Sequence, residues 1–237
     1  MAEAPAVEIA SATAVVKGVA ADVVAALPGR PRMRGWLHAG AVPLVVGAGL
    51  VLVAIARGGA PRVGAAVFVA CAVVLFSVSA TNHRGGWGPR THVLLVRADH
   101  ACIFLLIAGT YTPFALLVDG WQRPALLAVA WGGAAIGIAF RLLWPTAPRW
   151  VCTPLYIALG WAAIPFGPAM AEHAGLAVML LVALGGLLYT VGGVVYGLRR
   201  PNPFPTHFGF HEVFHALTVL AFAAHFAGVT IATSTMR

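Results

Sequence analysis

Val63-Gly64-Ala65-Ala66-Val67-Phe68-Val69-Ala70-Cys71-Ala72-Val73-Val74-Leu75-Phe76-Ser77-Val78-Ser79-Ala80-Thr81-Asn82 carries no charge over its whole length, and it ends at His83-Arg84-Gly85-Gly86-Trp87-Gly88-Pro89. About 20 consecutive apolar residues are what an α-helix needs to cross the hydrocarbon core of a bilayer. The run does not alternate, so it is not a barrel strand, and an open sheet would leave backbone groups unsatisfied in lipid. Six more blocks of this kind fall at about 37–56, 99–118, 124–143, 150–171, 174–197 and 208–231. They are separated by breaker-rich strings such as Arg57-Gly58-Gly59-Ala60-Pro61-Arg62 and Pro201-Asn202-Pro203-Phe204-Pro205. The sequence therefore predicts an all-α, seven-transmembrane helical bundle.

Composition agrees. Of the 237 residues 60% are hydrophobic and 9% charged, with a mean hydropathy of +0.89. A soluble domain carries about 25% charged residues, so the solvent for this surface is lipid, and membrane lipids are the expected partners. The net charge of +8 does not point to nucleic acid, because the charges lie in short segments between apolar blocks. With the N-terminus inside, Lys17, Arg30, Arg32, Arg34, Arg84, Arg90, Arg97, Arg141, Arg149, Arg199 and Arg200 fall on the inner side. Only Arg57, Arg62, Arg123 and Arg237 fall outside. The positive-inside rule then predicts a cytoplasmic N-terminus and an outside C-terminus, in a multi-pass protein of the cell's inner (plasma) membrane. Residues 1–29 carry Glu3, Glu8, Lys17 and Asp22 with no basic stretch before a short apolar block. They read as a cytoplasmic tail, loosely helical or disordered, rather than a signal peptide. The membrane domain is expected over 30–237. Cys71, Cys102 and Cys152 lie in or beside apolar blocks and read as core filler, not as a disulfide framework.

Ionisable groups at membrane depth are costly and face cavities or one another. Here they gather at three span ends: His83 after the second block, Asp99 at the third, and His211, Glu212 and His215 at the seventh. Those three ends share one side of the membrane in any seven-span chain. His211 and His215 stand four apart, so on a helix their rings lie about 5–6 Å apart on one face. With His83 they make a candidate three-ligand zinc site, and three protein ligands leave a fourth position open, the pattern of a catalytic rather than a structural zinc. Asp99 would serve there as general base or would orient a ligand. Ser79, one turn before His83, could donate a hydrogen bond into the same space. The plainer readings stay open: two histidines as interhelical hydrogen-bond glue, His83 and Asp99 as a simple pair, and Ser79 as packing. His225 lies about 15 Å deeper than His215 and is left out of the ligand set. His38, His92, His100 and His207 read as interfacial or packing residues. His211-Glu212-Val213-Phe214-His215 matches H-E-x-x-H, in which Glu is a base, and Leu117-Val118-Asp119-Gly120 echoes the Asp-Gly motif of site-2 metalloproteases. However, Asp119 precedes the histidines and falls at the opposite face, which disfavours the protease reading.

The chain resembles the hemolysin III family, the bacterial branch of the progestin and adipoQ receptor (adiponectin receptor-like) membrane proteins, over residues 30–230. The resemblance rests on Arg30-Pro31-Arg32-Met33-Arg34-Gly35-Trp36-Leu37-His38, Ser79-Ala80-Thr81-Asn82-His83 and Arg97-Ala98-Asp99-His100 with Ile107-Ala108-Gly109-Thr110-Tyr111-Thr112-Pro113-Phe114. It extends to Leu155-Tyr156 through Gly160-Trp161, Gly185 to Gly192, and Phe208-Gly209-Phe210-His211-Glu212-Val213-Phe214-His215. It implies Zn2+ on His83, His211 and His215, an aspartate reaching the metal through water at Asp99, and the motif serine at Ser79. Relatives carry other residues at the position of Glu212, which argues against it as an obligatory base. Asn82 stands where many members have an aromatic residue. By the same resemblance, three functions compete. The first is zinc-dependent hydrolysis of lipid amide or ester bonds, of the ceramidase kind. The second is a membrane-homeostasis regulator or lipid sensor with a structural zinc. The third, a pore-forming hemolysin, has no selectivity ring or self-inserting segment to support it. Histidine-rich sites also accept copper or nickel.

Overall fold

A computed structural model describes residues 31–235, so the tail expected over 1–29 lies outside the described residues. Among the described residues every regular element is helical, apart from a single bridge between Phe204 and Phe208. The helices are α1 (Trp36–Ile55), α2 (Ala60–Arg84), α3 (Pro89–Ala115), α4 (Gln122–Leu143, with a π-helical turn at Ala128–Gly132), α5 (Arg149–Trp161), α6 (Gly167–Leu198) and α7 (Phe210–Thr235). Six segments are long and apolar enough to cross a bilayer: α1, α2, α3, α4, the 50-residue stretch Arg149–Leu198 that holds α5 and α6, and α7. Their outward faces carry Leu44, Leu50, Ile136, Leu180 and Leu187 exposed, while Phe68, Phe76, Leu52 and Leu126 fill the interior. Helices that are apolar on both faces belong in lipid. The protein is a multi-pass membrane helical bundle.

Two boundaries differ from the expectation. The third helix begins at Pro89, ten residues before the apolar block. Proline is at ease in the first helical turn, where its missing N–H costs nothing, and the polar residues up to Asp99 extend a helix that hydropathy alone would shorten. The fifth helix stops at Trp161, about ten residues early, and a 3₁₀ turn at Ile164–Phe166 leads into α6. Pro165 disfavours helical geometry at the residue before it, and the sequence boundary near 171–174 instead meets a kink at Gly175 inside α6.

The chain reverses at that turn. Trp161 Nε1 donates to Thr190 Oγ1 at 2.9 Å, and Gly193 packs on Thr153 and Ile157, so α5 and α6 lie antiparallel. The Tyr111 hydroxyl sits 2.6 Å from Gly160 O and 2.8 Å from Leu159 O and accepts from Ala163 N–H. It thereby satisfies groups that the end of a helix leaves without intrahelical partners. The α3 motif residue thus anchors the break between α5 and α6. Cys71, Cys102 and Cys152 are free and buried, the first two among apolar core residues, whereas Cys152 Sγ accepts from Arg141 Nη1 at 3.1 Å and donates to Ala147 O at 3.6 Å.

Candidate metal centre and its cavity

The last turn of α2, the second and third turns of α3 and the first turn of α7 meet at one end of the bundle. On α2, Leu75, Ser79, Asn82 and His83 line one face, as their spacing of four, seven and eight residues requires. His83 Nε2 lies 3.2 Å from His211 Nε2 and 3.3 Å from Asp99 Oδ2. The rings of His211 and His215 are 4.4 Å apart by centroid, and that of His83 stands 4.7 and 5.1 Å from them. One ligand atom from each of His83, His211 and His215 falls within 4.8 Å of the others, so the triad could hold a metal ion.

Neighbours fix this geometry. His38 is buried and stacks on His215 at 3.8 Å with the planes 10° apart, while its other side meets the edge of Phe76. It is a packing residue, as expected, but one lodged in the site rather than at the interface. Gly35 has φ +78, and a Cβ there would press on the His83 Cβ and Arg84 Cγ. A glycine is needed both for the left-handed backbone and for the close approach of the α1 lead-in to His83. Arg32 and Met33 N–H groups donate to Thr206 O (3.0 Å) and His207 O (3.1 Å), tying that lead-in to the loop before α7.

Asn82 Nδ2 donates to Asp99 Oδ2 at 2.9 Å. Asn82 therefore holds the carboxylate in place. Ser79 is buried and lines the same space. His100 is a tie: Nδ1–H donates to Val96 O (2.7 Å), leaving Nε2 to accept from the Tyr196 hydroxyl (3.3 Å). His92 lines the cavity, whereas His207 is exposed and bonded to Thr206. Asp119 is exposed, paired with Arg123 (3.0 Å) and His173 (3.5 Å) on the far side of the bundle from the triad.

Glu212 points elsewhere. Its Oε2 accepts from Gly209 N–H at 2.8 Å, its Oε1 is 2.6 Å from Arg34 Nε, and it is 1% exposed. Gly209 immediately precedes α7 and Glu212 is its third residue, so the glutamate reaches back to the helix start as in a capping box. Asn202 Oδ1 takes the next N–H, from Phe210, at 2.7 Å. The middle glutamate of H-E-x-x-H is thus a helix cap and an anchor for the α1 lead-in. Glu212→Ala leaves the Arg34 guanidinium without this carboxylate, and breaking such a pair costs ~3 kcal/mol. The expected result is a lower thermal midpoint with unchanged metal content, read by melting and elemental analysis of the same preparation. A variant that melts like wild type would remove the anchor role.

From the triad a cavity of about 550 Å³ runs between α3, α5, α6 and α7 towards the other end of the bundle, reaching Phe114, Ile164 and Met170. Arg34, His92 and Arg149 stand at the triad end, with Arg149 also 4.5 Å over the Tyr196 ring. The length of the wall is mostly apolar. The cavity thus has a polar end at the triad and a mostly apolar body.

Residues 28–226 match the family described as Haemolysin-III related. The chain is 34% identical over 139 residues to a Bacillus subtilis (strain 168) protein named hemolysin-3 homolog, covering 58% of this chain and 62% of that one. It is 36% identical over 132 residues to a Bacillus cereus protein named hemolysin-3, covering 54% of this chain and 56% of that one. The aligned stretch thus spans less than two thirds of either relative. With the family match reaching from the α1 lead-in to Phe226 in α7, the chain belongs to the Haemolysin-III related family.

Proposed function

We propose that this protein crosses the inner membrane seven times, N-terminus in the cytoplasm and C-terminus outside, and uses a zinc ion on His83, His211 and His215 to hydrolyse amide or ester bonds of membrane lipids. The antiparallel packing of α5 on α6 supports the seventh crossing, since the chain reverses direction between them inside the 50-residue stretch. The observation that carries the function is the triad and Asp99 set together at one end of a mostly apolar cavity.

One pair of the three donors stands at the spacing zinc requires, and the third lies within 4.8 Å of both. Two nitrogens each ~2.0–2.1 Å from a tetrahedral zinc stand ~3.3 Å apart, and those of His83 and His211 are 3.2 Å apart. Zinc, when bound, supplies Lewis acidity for a carbonyl oxygen and for water. The apolar wall receives the acyl chain and brings its carbonyl to the triad. Asp99, steadied by Asn82, takes a proton from the attacking water as the new C–O bond forms. The same carboxyl returns that proton to the amine or alcohol as the C–N or C–O bond breaks. Ser79 faces the same space and donates a hydrogen bond to the polar head of the lipid.

The test is a panel of ceramides, N-acyl amides and acyl esters given to purified protein in nanodiscs, with released fatty acid measured by mass spectrometry. Expected is release that a chelator stops and added zinc restores. A second reading, a lipid sensor with a structural ion, is favoured by the way the triad ties α2 to α7. In that case chelation lowers the thermal midpoint and metal-replete protein consumes none of the panel, which overturns the hydrolase.

A further inference from the structure

On α3 the cavity is lined by a stripe at spacings of four, four, three and four: Asp99, Ile103, Ile107, Thr110 and Phe114. The stripe stops there. Leu117 and Val118, just past the end of α3, line a separate crevice that has no room for a water molecule. Phe114 and Met170 line both spaces, and each is 2% exposed, so the two side chains stand as the partition between them. Phe114 is held from across the bundle. A Cβ on Gly228 of α7 would lie 3.8 Å from its Cζ and 3.8 Å from Val178 of α6, so the ring reaches the contact of those two helices. Met170 comes from the first turn of α6. Both belong to the packed core with Val118 and Val178, which are fully buried. The end of the cavity away from the triad therefore has a floor, and that floor has core behind it.

We infer that Phe114 and Met170 set the longest acyl chain that the cavity accepts. The inference rests on the cavity being a lipid site, as proposed above, and does not require that the lipid be cleaved. Helix geometry gives the length. Asp99 and Phe114 are fifteen residues apart on α3, ~22 Å along its axis. A methyl group stops ~4 Å short of the ring, which leaves ~18 Å for the chain. An extended chain advances ~1.25 Å per bond, given C–C bonds of ~1.5 Å, so ~14 bonds fit. With its carbonyl at the triad, the acyl group that fills the cavity has about 16 carbons. Four further carbons overrun the floor by ~5 Å, and a packed core has no slack to take them. Thr110 stands one turn nearer the triad than Phe114 on the same face. A ring at that position would raise the floor by ~6 Å, or about five bonds.

The experiment is competition against a fluorescent fatty acid, using full-length protein in nanodiscs. The competitors are dodecanoic, hexadecanoic and icosanoic acids, each at the same mole fraction of the disc lipid. Hexadecanoic acid is expected to displace the probe about tenfold better than icosanoic acid, the ratio that one overpacking clash gives. Phe114→Ala should bring icosanoic acid to within about twofold of hexadecanoic acid. Thr110→Phe should move the preference the other way, to dodecanoic acid. Met170→Ala opens the same partition from α6 and replaces Phe114→Ala if that variant does not fold. Equal affinity for hexadecanoic and icosanoic acids in wild type would mean that the chain leaves the bundle past Ile164, the exposed residue at this end, and would overturn the proposal. So would a length preference that none of the three substitutions moves. Failure of the probe and of every fatty acid to bind would sink the lipid reading and this inference together. A preference that moves as expected, in protein that releases no fatty acid from any lipid, would leave the floor standing and overturn the hydrolase alone.

Discussion

His211→Ala is expected to leave purification with almost no bound metal, where wild type carries roughly one ion per chain. Loss even of a group that only supports a ligand lowers metal affinity ~10–100-fold, and His211 is placed to be a ligand itself. Its Nε2 lies 3.2 Å from that of His83, so its removal takes away one half of a nitrogen pair in the triad. Stability should fall as well. An ion at 100 times its dissociation constant stabilises the folded state by ~2.7 kcal/mol, so added zinc should raise the thermal midpoint of wild type and leave that of the variant unmoved. His173→Ala is the control. That histidine belongs to the pair with Asp119 away from the triad, and its loss should change neither the metal content nor the zinc response. Equal metal content in His211→Ala and wild type would mean that the ion, if present, sits elsewhere.

The helices and the triad were legible for a shared reason. Lipid imposes a length on each apolar block, and alternation of direction then puts the last turn of α2, the start of α3 and the start of α7 on one side of a seven-span bundle before any side chain is placed. The interior of the site was less accessible. Asn82 left a partial signal, because it stands three residues after Ser79 and therefore shares its helix face, but nothing in the sequence paired it with Asp99. Glu212 also left a signal, a glutamate three positions after the residue that precedes a helix, which competed with the more familiar H-E-x-x-H string. The stacking of His38 on His215 and the contact of Gly35 with His83 had no such sign, since both are made across the bundle by residues far apart in the chain. The early end of α5 was hidden because hydropathy runs through Trp161 into Ile164 without interruption. What stops the helix there is backbone geometry around Pro165 and the Tyr111 hydroxyl, neither of which a hydropathy window detects.

The ion-paired glutamate and the cavity-facing aspartate sit within the same cluster of charge, yet their surroundings differ. Glu212 has both oxygens engaged by Gly209 N–H and Arg34, and it does not line the cavity. Asp99 has one oxygen placed 2.9 Å from Asn82 Nδ2 and 3.3 Å from His83 Nε2, and it faces the cavity where a carbonyl would arrive. Asp99→Asn is therefore expected to lower lipid turnover about 10²- to 10⁴-fold, the usual contribution of a general base. The substituted amide keeps an oxygen that can accept from Asn82, so the fold and the metal content should stay near those of wild type. Asn82→Ala should act in the same direction but more weakly, because it loosens the carboxylate without removing it, and it should lower kcat more than it raises KM. The readout is initial rate of fatty-acid release alongside elemental analysis on each preparation. Turnover unaffected by Asp99→Asn in metal-replete protein would remove Asp99 from the chemistry, whereas a joint loss of metal and stability would make it a structural support of His83.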